Sequence, residues 1–245
     1  MATQEIRLSD ETGTVSKAKL TALAAALQTQ VTRDLGPAWG VQANVSVGKA
    51  VAGTWGMRIV EPDELPQGAG GVHLDDNGVP FAIVGPGSHM TIAASHELCE
   101  MLVDPFGQKL VAAPSLDPDS GGRTVFYLVE VGDPCEVFGY DIDGITVSDF
   151  VLQEYYRPQA ADQVDDLGEL SGPFVVPTGC YISWYDPADS RWHQVRPDGS
   201  FVTAPEATKL SDRPRQQRDE ALGDDDDQHN LGELFSSYKP VVARD

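Results

Sequence analysis

Two stretches of this chain keep the spacing of a buried helix face, and nearly everything between them is cut into short extended runs. The fold must therefore combine two helices with many strands. The first stretch places Leu20, Leu23, Leu27, Val31 and Leu35 at helical intervals behind Ser16, a residue suited to capping a helix N-terminus. It predicts a helix from Ser16 to about Leu35, stopped by Gly36-Pro37. The second is "TIAASHELCEMLVDP", residues 91–105, where Ile92, Leu98, Leu102 and Val103 mark a helix that Asp104-Pro105 ends. Elsewhere 24 glycines and 17 prolines imply frequent turns between short strands.

Strands are expected at residues 5–8, 41–47 and 54–60, the last with Trp55, Met57 and Ile59 on one side. "VHLDDNGVPFAIVG" divides into two extended runs around Asn77-Gly78, a pair suited to a tight hairpin. Further strands are expected at 123–132, in a hairpin over 140–152, and in a hairpin of 179–186 with 191–195. The class is α+β: a mixed sheet with an N-terminal helix and a second helix, followed by β-rich hairpins. A length of 245 residues suits one domain, here 1–203. Residues 204–245 read as a polar, acidic extension, with "GDDDDQ" at 223–228 a solvated and mobile stretch.

Charge narrows the partners. Lys and Arg number 17 against 38 Asp and Glu, a formal charge of -21, and such a surface repels the phosphates of nucleic acid and anionic lipid. Neither nucleic acid nor membrane is an expected partner. The start, "MATQEIRLSD", lacks a basic segment followed by an apolar core, and no stretch approaches the roughly 18 apolar residues of a membrane span. A cytoplasmic or virion location is expected. Cys99, Cys135 and Cys180 are odd in number and without framework spacing, which fits a reducing compartment.

The second helix carries the chemistry. Successive residues advance about 100°, so His96, Glu100 and Asp104 share a stripe roughly 80° wide, with Glu97 beside it. An imidazole and carboxylates on one face can hold a cation that activates water, with a glutamate taking the proton. HELCE offers one imidazole and one carboxylate where HExxH offers two imidazoles, so zinc competes with calcium or manganese as the implied metal. The bland alternative is an amphipathic helix with acids on its wet face. A second acidic segment, "EVGDPCE" at 130–136, follows.

"ASHELCEMLVDP" (94–105) with "EVGDPCE", together with "LQTQVTRDLGPAWGVQANV" (27–45) and "YDIDGITVSDFV" (140–151), resembles a group of bacterial and phage proteins with a SHExxExxxDP segment followed by an acidic Asp-x-Cys segment. Such proteins look like zincin-type metallopeptidases. The resemblance implies a zincin-like domain over 1–203, with the second helix as the active-site helix. It implies His96 and Glu100 as metal ligands and Glu97 as general base. Asp133 is the first choice for third ligand, and Glu130 and Asp104 are rivals; Asp104 could instead fix the turn after the helix. Cys99 and Cys135 could pair or simply pack. His73 and His89 could touch substrate or lie solvated in loops, Tyr140, Tyr155 and Tyr156 could polarise a carbonyl or pack, and "PFAIVG" could offer an edge to an extended peptide or lie buried.

Two functions follow. One is a metal-dependent peptidase acting on a peptide or protein substrate. The other is a non-catalytic structural or binding protein on the same scaffold, such as a phage virion or injection-particle component with an assembly partner.

Overall fold

The computed structural model describes residues 3–66, 69–160, 162–196 and 198–203, so the expected extension from 204 onward lies outside the described residues. The chain opens with β1 (Gln4–Asp10), then α1 (Lys17–Gln30), whose Ser16 cap accepts the Lys19 N–H at 3.2 Å. The expected stop at Gly36-Pro37 is not the end of the coil. Residues Val31–Leu35 widen into a π turn, α2 (Gly36–Trp39) carries on, and the end comes at Gly40 with φ 70°. Gly36 N–H reaches back five residues to the Val31 carbonyl, widening the turn just ahead of Pro37, whose ring would clash with a regular α-turn carbonyl. Only glycine fits at 36: a Cβ there would stand 2.6 Å from the Val31 carbonyl oxygen.

Next come β2 (Ala43–Val47), β3 (Trp55–Ile59), β4 (Gly71–Asp76) and β5 (Val79–Val84), close to the expected runs. β1 pairs parallel with β2 on one side and β3 on the other, β3 pairs parallel with β5, and β4 is antiparallel to β5. The order is β2-β1-β3-β5-β4. Asn77 (φ 50°) and Gly78 (φ 78°) turn the β4–β5 hairpin, the two positive φ values that a tight primed turn requires. "PFAIVG" therefore has no free edge, since β5 lies between β3 and β4, and the outer strand is β4.

α3 (Met90–Val103) follows, then β6 (Leu110–Pro114) and β7 (Thr124–Leu128). β8 (Gly139–Ile142) and β9 (Ile145–Ser148) form a separate hairpin, and β10 (Ile182–Asp186), β11 (Arg191–Val195) and β12 (Phe201–Thr203) complete a second, antiparallel sheet of order β12-β11-β10-β7-β6. The short strands β6 and β12 have no counterpart in the sequence reading. The architecture is α+β. Among the described residues no helix is long and apolar enough to cross a membrane.

The parity of β5 divides the packing. Ala82 and Val84 join Ile6, Leu8, Met57 and Ile59 in the main core with Leu23 and Leu27 of α1 and Leu98 and Met101 of α3, whereas Ile83 and Phe81 pack with Val60 and Val72 in a smaller cluster. Both helices thus pack into the core built on one parity of the first sheet. A buried polar chain fixes how α3 is turned: Ser95 Oγ donates to Gln30 Oε1 (2.8 Å) and accepts the Ser148 N–H (2.9 Å), while Gln30 Nε2 donates to the Ser148 carbonyl (2.8 Å). Each of these groups would be costly to leave unpaired, about 1–3 kcal/mol, so α1, α3 and β9 hold one another in register. The residue after Ser95 is His96.

Candidate metal centre

α3 is buried along the face that carries its charges: His96 is 9% exposed, Glu97 5% and Glu100 0%. The alternative of a wet acidic face is overturned, because the helix lies under β4 and β5 and against the β8–β9 hairpin. Burying ionised carboxylates costs several kcal/mol each unless positive charge and hydrogen bonds compensate. Here the compensating charge comes from His96.

His96 Nε2 lies 3.2 Å from Glu100 Oε1 and 3.3 Å from Asp133 Oδ1. Asp133 reaches the helix from the short 3-10 turn Asp133–Cys135, which follows β7 and presents Glu136 alongside. Ligand atoms held tetrahedrally at ~2.0–2.1 Å from an ion sit about 3.3–3.4 Å apart, and these two separations, which also suit hydrogen bonds from the ring, come close to that spacing. Imidazole with carboxylates is also a donor set that zinc and its neighbours accept. His96, Asp133 and Glu136 offer ligand atoms within 4.8 Å of one another, and so do His73, Glu97 and Glu100. The groups meet at Glu100, whose Oε2 lies 3.6 Å from His73 Nδ1.

Two glycines make room. A Cβ on Gly132 would stand 2.4 Å from His96 Nδ1, and one on Gly71 would stand 2.8 Å from Glu97 Cγ. Gly132 N–H also donates to Glu100 Oε1 at 3.3 Å. The backbone before Asp133 thus lies against the imidazole, and β4 lies against the Glu97 stem.

Electrostatics follow from this crowding. Burial favours a neutral His96 ring, but Glu100, Asp133 and Glu97 outweigh it and hold the imidazolium well above the usual histidine range. Glu136 is half-buried, and withdrawal from water pushes its carboxyl up to about 7; His96 opposes the rise while Glu100 and Glu97 add to it. The site as built holds excess negative potential.

His73, Glu97, Glu100, Asp133 and His96 are all brought together, whereas the two rival ligands stand apart. Asp104 ends α3, and its carboxylate accepts the Gln108 and Lys109 N–H groups at 2.9 and 2.7 Å, fixing the turn after the helix. Glu130 is buried, but its carboxylate joins neither converging group. His73 is no loop residue. It sits on β4, 1% exposed, with Nε2 at 3.1 Å from the Asp104 carbonyl. His89 stands at the start of α3, half-buried. Tyr140 donates to Asp34 Oδ2 at 2.7 Å, and Tyr155 and Tyr156 pack with Phe174. Cys99 and Cys135 are unpaired thiols pushed well up by burial, so they pack as neutral groups.

Sequence reasoning gave His73 only a minor part and singled out no role for Glu136. Glu136 lies in the quoted acidic segment, one turn from Asp133, and could have been found there. His73 had a signal only in hindsight of pairing, because its place depends on β4 folding back on β5.

A third group, Asp186, Asp189 and His193, lies at the β10–β11 turn. Its donors are engaged: Asp186 takes Arg123 at 2.6 Å and the Ala188 N–H, and Asp189 takes the Arg191 N–H and His193. These contacts tie the turn together and to Arg123 beside β7. No protein-family model matches the chain, and no curated protein or solved structure matches it either. The chemistry of the site stands on these residues.

Proposed function

We propose that this chain is a metal-dependent peptidase of zincin-like build, in which His96, Glu100 and Asp133 hold a divalent cation and Glu97 is the proton acceptor. The observation that carries the reading is the convergence of His96 Nε2 on Glu100 and Asp133 at 3.2 and 3.3 Å inside the fold. That spacing and the imidazole favour zinc, with manganese next. Calcium fits less well, since it takes six to eight oxygens at roughly 2.3–2.6 Å. When bound, such a cation polarises a carbonyl and makes a water acidic enough to attack near neutral pH.

The remaining work falls to side chains of this chain. Glu97, one residue on from His96, lies beside the ligand pair with Oε2 3.5 Å from His73 Nδ1, so a proton taken by the carboxylate has an imidazole beside it. β4, an outer strand packed against α3, offers backbone groups that an extended peptide can pair with close to Glu97, which supports a peptide substrate. A mixed sheet whose antiparallel outer strand borders the HExxE helix supports the zincin-like build.

The deep burial of Glu100 (0%) and His73 (1%) favours a second reading, a closed structural metal that ties α3 to the 130–136 segment of a binding or particle protein. Elemental analysis of protein purified without chelator, wild type beside His96→Ala and Glu97→Gln, separates the cases. The proposal expects a cation lost in His96→Ala, still held by His96, Glu100 and Asp133 in Glu97→Gln, and peptide cleavage abolished in both. Metal content unaffected by His96→Ala would refute it. Thermal stability that falls on chelation, with no cleavage of a peptide library and co-sedimentation with larger particles, would establish the second reading.

A further inference from the structure

We propose that His73, Glu97 and Glu100 form a second divalent-cation position, bridged to the first through the two oxygens of Glu100. The inference rests on reading His96, Glu100 and Asp133 as a metal site, but its own observations are separate. The three ligand atoms lie within 4.8 Å of one another, and all three residues are buried. The decisive atom is His73 Nδ1. A backbone carbonyl can only accept, so His73 Nε2, 3.1 Å from the Asp104 carbonyl, carries a hydrogen and donates it. Anchoring one ring nitrogen on a carbonyl and turning the other inward is the arrangement that orients a metal-binding histidine.

The inward nitrogen faces Glu97 Oε2 at 3.5 Å and Glu100 Oε2 at 3.6 Å. Both distances are longer than the about 2.7–2.9 Å of a charge-assisted N–H···O bond. The separations instead approach the ~3.3–3.4 Å between ligands around a tetrahedral ion. Glu100 divides its oxygens, with Oε1 toward His96 and Oε2 toward His73, which is how a carboxylate bridges two cations. One imidazole and two carboxylates select a divalent ion tolerant of nitrogen and oxygen, zinc or manganese. Glu97 cannot be ligand and proton acceptor at once, so turnover is greatest with only the first position filled.

The test is titration of chelator-treated full-length protein with Zn2+ by calorimetry, and with Mn2+ by electron paramagnetic resonance. Wild type is expected to bind two equivalents, with an exchange-coupled Mn2+ signal. His73→Ala and Glu97→Gln are expected to bind one equivalent, with an isolated-ion signal. One equivalent in wild type, kept in His73→Ala and lost in His96→Ala, overturns the second position while leaving the first intact. No binding in wild type overturns both, and two equivalents persisting in His73→Ala overturns the residues assigned. Even where a variant fails to fold, one equivalent in wild type, or two without exchange coupling, overturns the bridged pair.

Discussion

Gly132→Ala isolates the geometry of the candidate metal centre from its chemistry. Gly132 has φ −87° and ψ −36°, a conformation open to alanine, so the substitution brings no backbone strain. Its new Cβ would stand 2.4 Å from His96 Nδ1 and 2.6 Å from Cε1, about 1 Å inside ordinary contact. Either the ring retreats or the 130–136 segment does. Both moves open the 3.3 Å gap between His96 Nε2 and Asp133 Oδ1, because Asp133 is the next residue. Losing the alignment of one ligand by this much should weaken cation binding roughly 10- to 100-fold, by analogy with the removal of supporting groups around a metal. That is about 1.4–2.7 kcal/mol. Overpacking should also lower stability by about 1–3 kcal/mol. The control is Gly172→Ala, where a Cβ meets nothing within 4 Å. Metal titration and thermal melts of the three proteins check the reasoning. Wild-type affinity in Gly132→Ala would mean that the close approach of Gly132 does not position His96, and the site geometry would have to be abandoned.

Asp104→Ala should cost roughly 2–3 kcal/mol through loss of the Gln108 and Lys109 N–H acceptor, with metal content unchanged; a drop in metal stoichiometry would make Asp104 a ligand after all. Asp149 is fully buried, accepts the Leu167 N–H at 3.2 Å, and is held well above the usual carboxylate range by burial and then by Asp165. Its folded pKa exceeds its unfolded one, so its contribution to stability is complete below about pH 4 and declines as pH rises toward the folded value. Asp149→Asn removes that decline, and urea melts from pH 4 to 8 should show the variant gaining on wild type with increasing pH; parallel curves would exclude a protonated Asp149.

What the sequence makes legible here is what local spacing controls. Leu20, Leu23 and Leu27 mark α1, Asn77-Gly78 marks a turn whose two residues need positive φ, and His96 and Glu100 share a helix face through the four-residue interval alone. Misses arise where a partner distant in the chain decides. Gly36-Pro37 reads as a stop, but a π turn ahead of it accommodates the ring and lets the coil run to Gly40. β6 becomes a strand because β7 pairs with it, and "LVAAP" has little strand character of its own. His73 belongs to the site because β4 folds back on β5 and α3 packs beneath both.

The same distinction explains why Asp133, and not Asp104, lies against the His96 ring. On a helical wheel Asp104 continues the stripe of His96 and Glu100, but at the C-cap its backbone leaves the helix (φ −134°, ψ 73°) and its carboxylate finds two loop N–H groups. The place beside the His96 ring is taken from outside by Asp133, 29 residues beyond Asp104 in the chain, carried by a turn that begins with a glycine lying on the imidazole. A ligand set drawn from one helix alone would follow every bend of that helix. With Asp133 from the turn after β7 and His73 from β4, the site depends on both sheets keeping their register against α3, so a cation that binds there stabilises the folded arrangement by its binding free energy. Chelation should consequently loosen β4 and the 130–136 segment ahead of α1. Hydrogen exchange with and without chelator checks this, and uniform protection loss across all elements would contradict it.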